Sequence, residues 1–109
     1  MTTSIVDAES LLAIDIGTIN TRALLFDIVE GQYRHIATGT ALTTAGVPYL
    51  DVGEGIHRAI QNLQDLTGRV IIGPSSEVIL PMAANGAGID QLAITYSAGS
   101  ELRVVIAGL

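Results

Sequence analysis

The residues best suited to chemistry lie in one short segment, Asp15-Ile16-Gly17-Thr18-Ile19-Asn20-Thr21-Arg22. A glycine between two apolar runs lets the backbone reverse tightly and leaves room for a ligand to approach. The amides of Thr18, Ile19 and Asn20 can then point into one concavity, and converging amide dipoles favour phosphate oxygens. The hydroxyls of Thr18 and Thr21 would add donors. Asp15, at the tip of the preceding strand, is suited to hold a water of a magnesium shell rather than the phosphate itself. Arg22 supplies a permanent positive charge. Plainer readings stand beside these. Asp15 could cap a turn, Arg22 could be an exposed strand residue, and Thr18 and Thr21 have good strand propensity of their own.

Such a segment needs strands to position it. Leu11-Leu12-Ala13-Ile14 is a short apolar run that stops at Asp15 and Gly17, as a buried strand ending at a turn would. A second strand is expected from Thr21 to Val29, a turn at Glu30-Gly31-Gln32, and a third strand from Tyr33 to Leu42. Even spacing places Ile36, Thr38, Thr40 and Leu42 on one face of it. The three together predict an antiparallel meander. A helix follows from near Asp51, with Asp51 and Glu54 at capping-box spacing, which explains the pair better than paired catalytic carboxylates. Its apolar stripe would be Val52, Ile56, Ala59, Ile60, Leu63 and Leu66, with Arg58, Gln61, Asn62 and Asp65 toward solvent and Gly68 as the C-terminal cap.

Residues 69–90 read as a long excursion, with Val70-Ile71-Ile72 and Val78-Ile79-Leu80 as short strand candidates. Pro74, Pro81 and the flexible tract Asn85-Gly86-Ala87-Gly88 punctuate it. A buried strand, Leu92 to Tyr96, then turns through Ser97-Ala98-Gly99-Ser100 into a last apolar strand, Leu102 to Ile106, pairing back as a hairpin. Residues 1–10 read as a flexible start, and 11–109 as one α/β unit with a single mixed sheet. The apolar strand running straight to Leu109 is what a truncated lobe of a larger protein would show.

Composition removes several classes. The net charge of -6 argues against a nucleic-acid partner. All five basic residues are Arg, so a Walker A lysine and a Schiff-base lysine are excluded. Without Cys there are no disulfides or zinc-thiolate sites. His35 and His57 have no ligand spacing, and Asp27, Glu30 and Glu77 read as solvated. No segment has signal-peptide character or approaches the about 20 apolar residues of a membrane span, so a cytoplasmic protein is expected. Charged residues make up only 15% of the chain, so some apolar surface is expected to meet another domain, and an exposed edge strand could pair two copies as a homodimer.

The run from Leu12 to Arg22 resembles the first phosphate motif of the actin-like ATPase superfamily of actin, Hsp70, hexokinase and the sugar kinases. There an apolar strand leads to Asp-x-Gly-Thr/Ser. Arg22-Ala23-Leu24-Leu25-Phe26-Asp27 looks like the second strand of the sugar kinases. A narrower resemblance spans most of the chain. Asp15 to Arg22, Gly53 to Arg69, and Gly88 through Leu109 look like the MutL family encoded beside glutamate mutase, which is unrelated to the mismatch-repair protein of the same name. The resemblance implies an RNase H-like lobe that binds ATP and Mg2+. Asp15 would be the metal-water carboxylate, Gly17 to Thr21 the phosphate turn, and Arg22 the phosphate-facing cation. It also implies a chaperone or reactivating role toward a partner such as a cobalamin-dependent mutase. Ile19 departs from relatives that carry Thr or Gly there, which costs one hydroxyl and keeps the amide. No second phosphate turn and no adenosine-binding segment is visible, so the 109 residues alone are expected to hydrolyse no ATP. The alternatives are a piece of a sugar-kinase-like phosphotransferase and a protein-binding module without nucleotide.

Overall fold

The structure, a computed structural model, describes residues 9–44, 53–96 and 103–108. Strand β1 (Glu9–Ile16) is longer than the apolar run that announced it and includes Asp15. Leu12, Ile14 and Ile16 are buried on one face of it, while Leu11, Ala13 and Asp15 are half-buried on the other. Strands β2 (Asn20–Val29) and β3 (Gln32–Leu42) follow it as an antiparallel meander. The turn between them uses Glu30 and Gly31, both with positive φ.

A helix, α1 (Gly53–Thr67), separates the meander from β4 (Gln91–Tyr96) and β5 (Arg103–Gly108). Strand β4 lies parallel to β1, and β5 returns antiparallel to β4. The sheet order is β3-β2-β1-β4-β5. The expected mixed sheet and terminal hairpin are therefore both present. The hairpin's connection, 97–102, lies outside the described residues, as do residues 1–8 and Asp51 and Val52.

One face of the sheet carries the core. Leu12, Ile14 and Ile16 meet Ala23 and Leu25 from β2, Ala59, Ile60 and Leu63 from α1, and Ile71 and Ile89 from the excursion. Burying each large aliphatic side chain contributes roughly 1.5–3 kcal/mol. The helix sits almost on the strand backbone, because Gly39 leaves it room. A Cβ there would stand 2.3 Å from the Ala59 carbonyl oxygen. Among the described residues no helix covers the opposite face.

Several local expectations need correction. The residues of β3 that face the core are Ala37, Gly39 and Ala41, and a β-bulge opposite Leu25 and Phe26 takes Ile36 out of the even series. A bulge adds a residue to one strand and so breaks the two-residue count. Leu66 is 68% exposed and is no part of the core stripe. Helical spacing shows which way a residue points, not how far the layer beneath extends. Glu54 ion-pairs with Arg58 one turn on, and the Gly55 amide donates to the Thr44 hydroxyl at 2.9 Å. Gly68 ends the helix as expected, with φ +74 and its amide on Gln64 O.

The excursion contains no strand among the described residues, only one bridge between Ile72 and Val78. Its order comes from individual bonds. The Gln64 side-chain oxygen accepts from the amides of Ile71 and Ile72, each at 2.7 Å. Asp27 is not merely solvated. Arg69 grips it with two bonds of 2.9 Å, and Ser10 adds a third donor at 3.3 Å. Asp90 then ties the end of the excursion to β1 through the amide and carbonyl of Ser10.

Candidate phosphate-binding turn

The reversal from β1 to β2 closes where the Gly17 amide donates to Asn20 O at 2.9 Å. Gly17 does not take a left-handed conformation. It is needed for closeness, since a Cβ would stand 2.9 Å from that same oxygen. Thr18 and Ile19 form the exposed tip, followed by Asn20. The amides of Thr18 and Ile19 find no acceptor among the described residues. The two carbonyls that flank them are satisfied. Gly17 O accepts from the Thr43 hydroxyl and Ile19 O from the Thr43 amide, both at 2.8 Å.

Asp15 lies beside this tip on the uncovered face. Register places it directly across from Arg22 on β2 and from Thr95 on β4. Arg22 Nη2 donates to one carboxylate oxygen at 2.5 Å, and the Thr95 hydroxyl donates to the other at 3.0 Å. The Arg22 hydrogen bond holds the Asp15 carboxyl below its ordinary range. Burial opposes it as the next largest influence, and the Thr95 bond and the charge of Arg22 then add to the lowering. Asp15 is thus an ionised, half-exposed carboxylate at neutral pH. Its acceptor set suits a hydrated cation, which prefers oxygen ligands and keeps its waters.

The seven residues singled out from the sequence do not all face one way. Asp15 and Arg22 share the uncovered face, Thr18, Ile19 and Asn20 form the tip, and Gly17 closes its base. Thr21 is a correction. It is fully buried, and its hydroxyl faces that of Thr43 at 2.8 Å inside the fold. It pairs with Ile16, a core position, so alternation along β2 turns it inward while Arg22 turns outward. Two residues were missed. Thr95 reaches Asp15 only through the parallel β1–β4 pairing, and Thr43 reaches the turn from just past the end of β3. Nothing in the local sequence of either announces this. Among the described residues no group of three metal-binding side chains occurs, and no helix is long and apolar enough to cross a membrane. Two surface hollows, one lined by Gly73 to Ser75 with Glu77 to Leu80 and one by Gly68 to Val70 with Asn85 to Ala87, include no residue of the turn.

Residues 11–109 match the protein family described as MutL protein. The chain belongs to the MutL family. The matched span runs from Leu11 of β1 through β5 and includes the turn and Asp15. Comparison with curated proteins and with solved structures gave no match.

Proposed function

We propose that this MutL-family chain supplies one phosphate-binding wall of a Mg-ATP site in an actin-like ATPase. The observation that carries the reading is the pair of adjacent amides at Thr18 and Ile19, without an acceptor among the described residues, beside the ionised Asp15. Amides left open at a solvent-facing bend favour an anion, and the neighbouring carboxylate favours the cation that accompanies a triphosphate. The order strand, strand, strand, helix, strand in one mixed sheet supports an RNase H-like lobe.

The donor set fits Mg-ATP. Thr18 and Ile19 would bind phosphate oxygens through their amides, with the Thr18 hydroxyl and the Asn20 amide at the same tip. Asp15 would orient a water of the metal's shell. Arg22, 53% exposed at its side chain and bonded to Asp15 through one nitrogen, can swing from the carboxylate to a phosphate. Bound Mg-ATP would supply the phosphoryl group for hydrolysis or transfer, and the residues here contribute positioning and charge. In this proposal the other walls of the cleft come from elsewhere in a longer parent protein. The resemblance to the MutL family encoded beside glutamate mutase is the ground on which we favour a reactivating role toward a cobalamin-dependent mutase, in the cytoplasm. A sugar-kinase-like transferase is the other enzyme reading.

A module that keeps the fold and binds only protein is favoured by one observation: Arg22 already neutralises Asp15. Titration of the natural full-length protein with mant-ATP, with and without magnesium, separates the two. The nucleotide reading expects magnesium-dependent binding that Asp15→Asn weakens at least about tenfold, or about 1.4 kcal/mol. No affinity in the intact protein would leave the binding module. The isolated chain is expected to show no ATP turnover, and turnover abolished by Asp15→Ala would contradict that.

A further inference from the structure

A turn that presents amides also carries carbonyls, and a carbonyl oxygen aimed at the same space would repel a phosphate. In this turn one residue takes both neighbouring carbonyls. The amide of Thr43 donates to Ile19 O, and its hydroxyl donates to Gly17 O. Since a carbonyl can only accept, the Thr43 hydroxyl spends its single proton there. The contact of 2.8 Å between the Thr21 and Thr43 hydroxyls must then run from Thr21 as donor. The result is a directed chain, Thr21 to Thr43 to Gly17, that starts at a fully buried side chain. The next residue is fixed as well, because Thr44, itself buried, accepts the Gly55 amide of α1.

We infer that Thr43 is a positioning residue of the phosphate turn. It holds the carbonyls of Gly17 and Ile19 toward the end of β3, and the amides that follow them in the same trans peptide units, those of Thr18 and Asn20, therefore point away from Thr43. This rests on the phosphate-binding reading above. It adds a residue that would touch no ligand and acts through backbone orientation alone. Loss of the Thr43 hydroxyl leaves Gly17 O without its donor. That oxygen is then free to take the Asn20 amide across the bend, as in an ordinary tight hairpin, and the bend closes on itself.

The test uses the natural full-length protein, Mg-mant-ATP as probe, and three variants. Thr43→Ser keeps the hydroxyl and is expected to bind within about threefold of wild type. Thr43→Val keeps the shape and loses the donor, and is expected to bind at least about tenfold more weakly. Thr43→Val also strands the buried Thr21 hydroxyl, so its melting temperature will fall. The double variant Thr21→Val, Thr43→Val removes both hydroxyls together, which is close to neutral for stability. Its melting temperature should recover while its affinity stays low. It also carries the test should the single variant not fold. The inference is overturned if Thr43→Val or the double variant binds as wild type does, or if affinity returns with stability. A wild type with no affinity at all overturns the phosphate reading and this inference with it.

Discussion

Two aspartates on neighbouring strands each hold an arginine, and the two ends of the sheet use that pairing differently. Asp27 accepts both terminal nitrogens of Arg69 and a further bond from Ser10, and Arg69 comes from the start of the excursion. The pair joins two distant parts of the chain. Asp15 accepts one nitrogen of Arg22, its cross-strand neighbour, whose side chain stays 53% exposed. That pair joins nothing the sheet has not already joined. Both carboxyls are held below their ordinary range, in each case chiefly by the arginine hydrogen bond. A lowered carboxyl therefore does not distinguish a clamp from a site. The surroundings do: beside Asp15 lie two amides with no acceptor among the described residues, and Arg69 and Ser10 enclose Asp27.

The comparison can be broken at its shared frame first. Gly39→Ala drives a methyl group into the backbone of α1. It should cost on the order of 3 kcal/mol or more, at the upper end of overpacking penalties, and destroy both ends together. Thermal unfolding followed by circular dichroism reads this, and a melting temperature unchanged by the alanine would show that the helix does not rest on β3. Next, Asp27→Asn should cost about 1–2 kcal/mol, discounted for the partial exposure of the pair. In a domain of this size that is several degrees of melting temperature.

Acid sharpens the same contrast. The folded carboxyl of Asp27 is lowered, so its stabilisation is complete above the unfolded value, about 3.9, and is lost as pH falls through the folded one. Urea unfolding of wild type and Asp27→Asn should therefore converge as pH falls below about 4. A gap that stays constant to the lowest pH would mean the asparagine acts by some other route. The smallest effect belongs to Asp15→Asn, which should change stability by less than about 1 kcal/mol, as exposed ion pairs do. A larger loss would make Asp15 a second clamp.

The sequence already contained most of the frame. Apolar runs on either side of Gly17 marked β1, the turn and β2, and Gly68 marked the end of α1. What it hid depends on residues far apart in the chain. Asp27 looked solvated because Arg69 stands 42 residues away. Thr95 meets Asp15 across 80 residues, and only the parallel pairing of β4 with β1 brings them together. Thr21 sat inside the motif, yet strand alternation turned it into the core, where it serves Thr43. Local pattern thus located the turn. Only tertiary pairing showed which of its groups face outward.

The most direct test follows the backbone amides of an isotopically labelled sample of this chain by NMR while magnesium and ATP are added together. The account predicts that the Thr18 and Ile19 amide signals shift most, that shifts at Asp27 and Arg69 stay near zero, and that Asp15→Asn suppresses the response. Shifts spread evenly over the chain, or centred on Arg69 while Thr18 and Ile19 stay still, would contradict it.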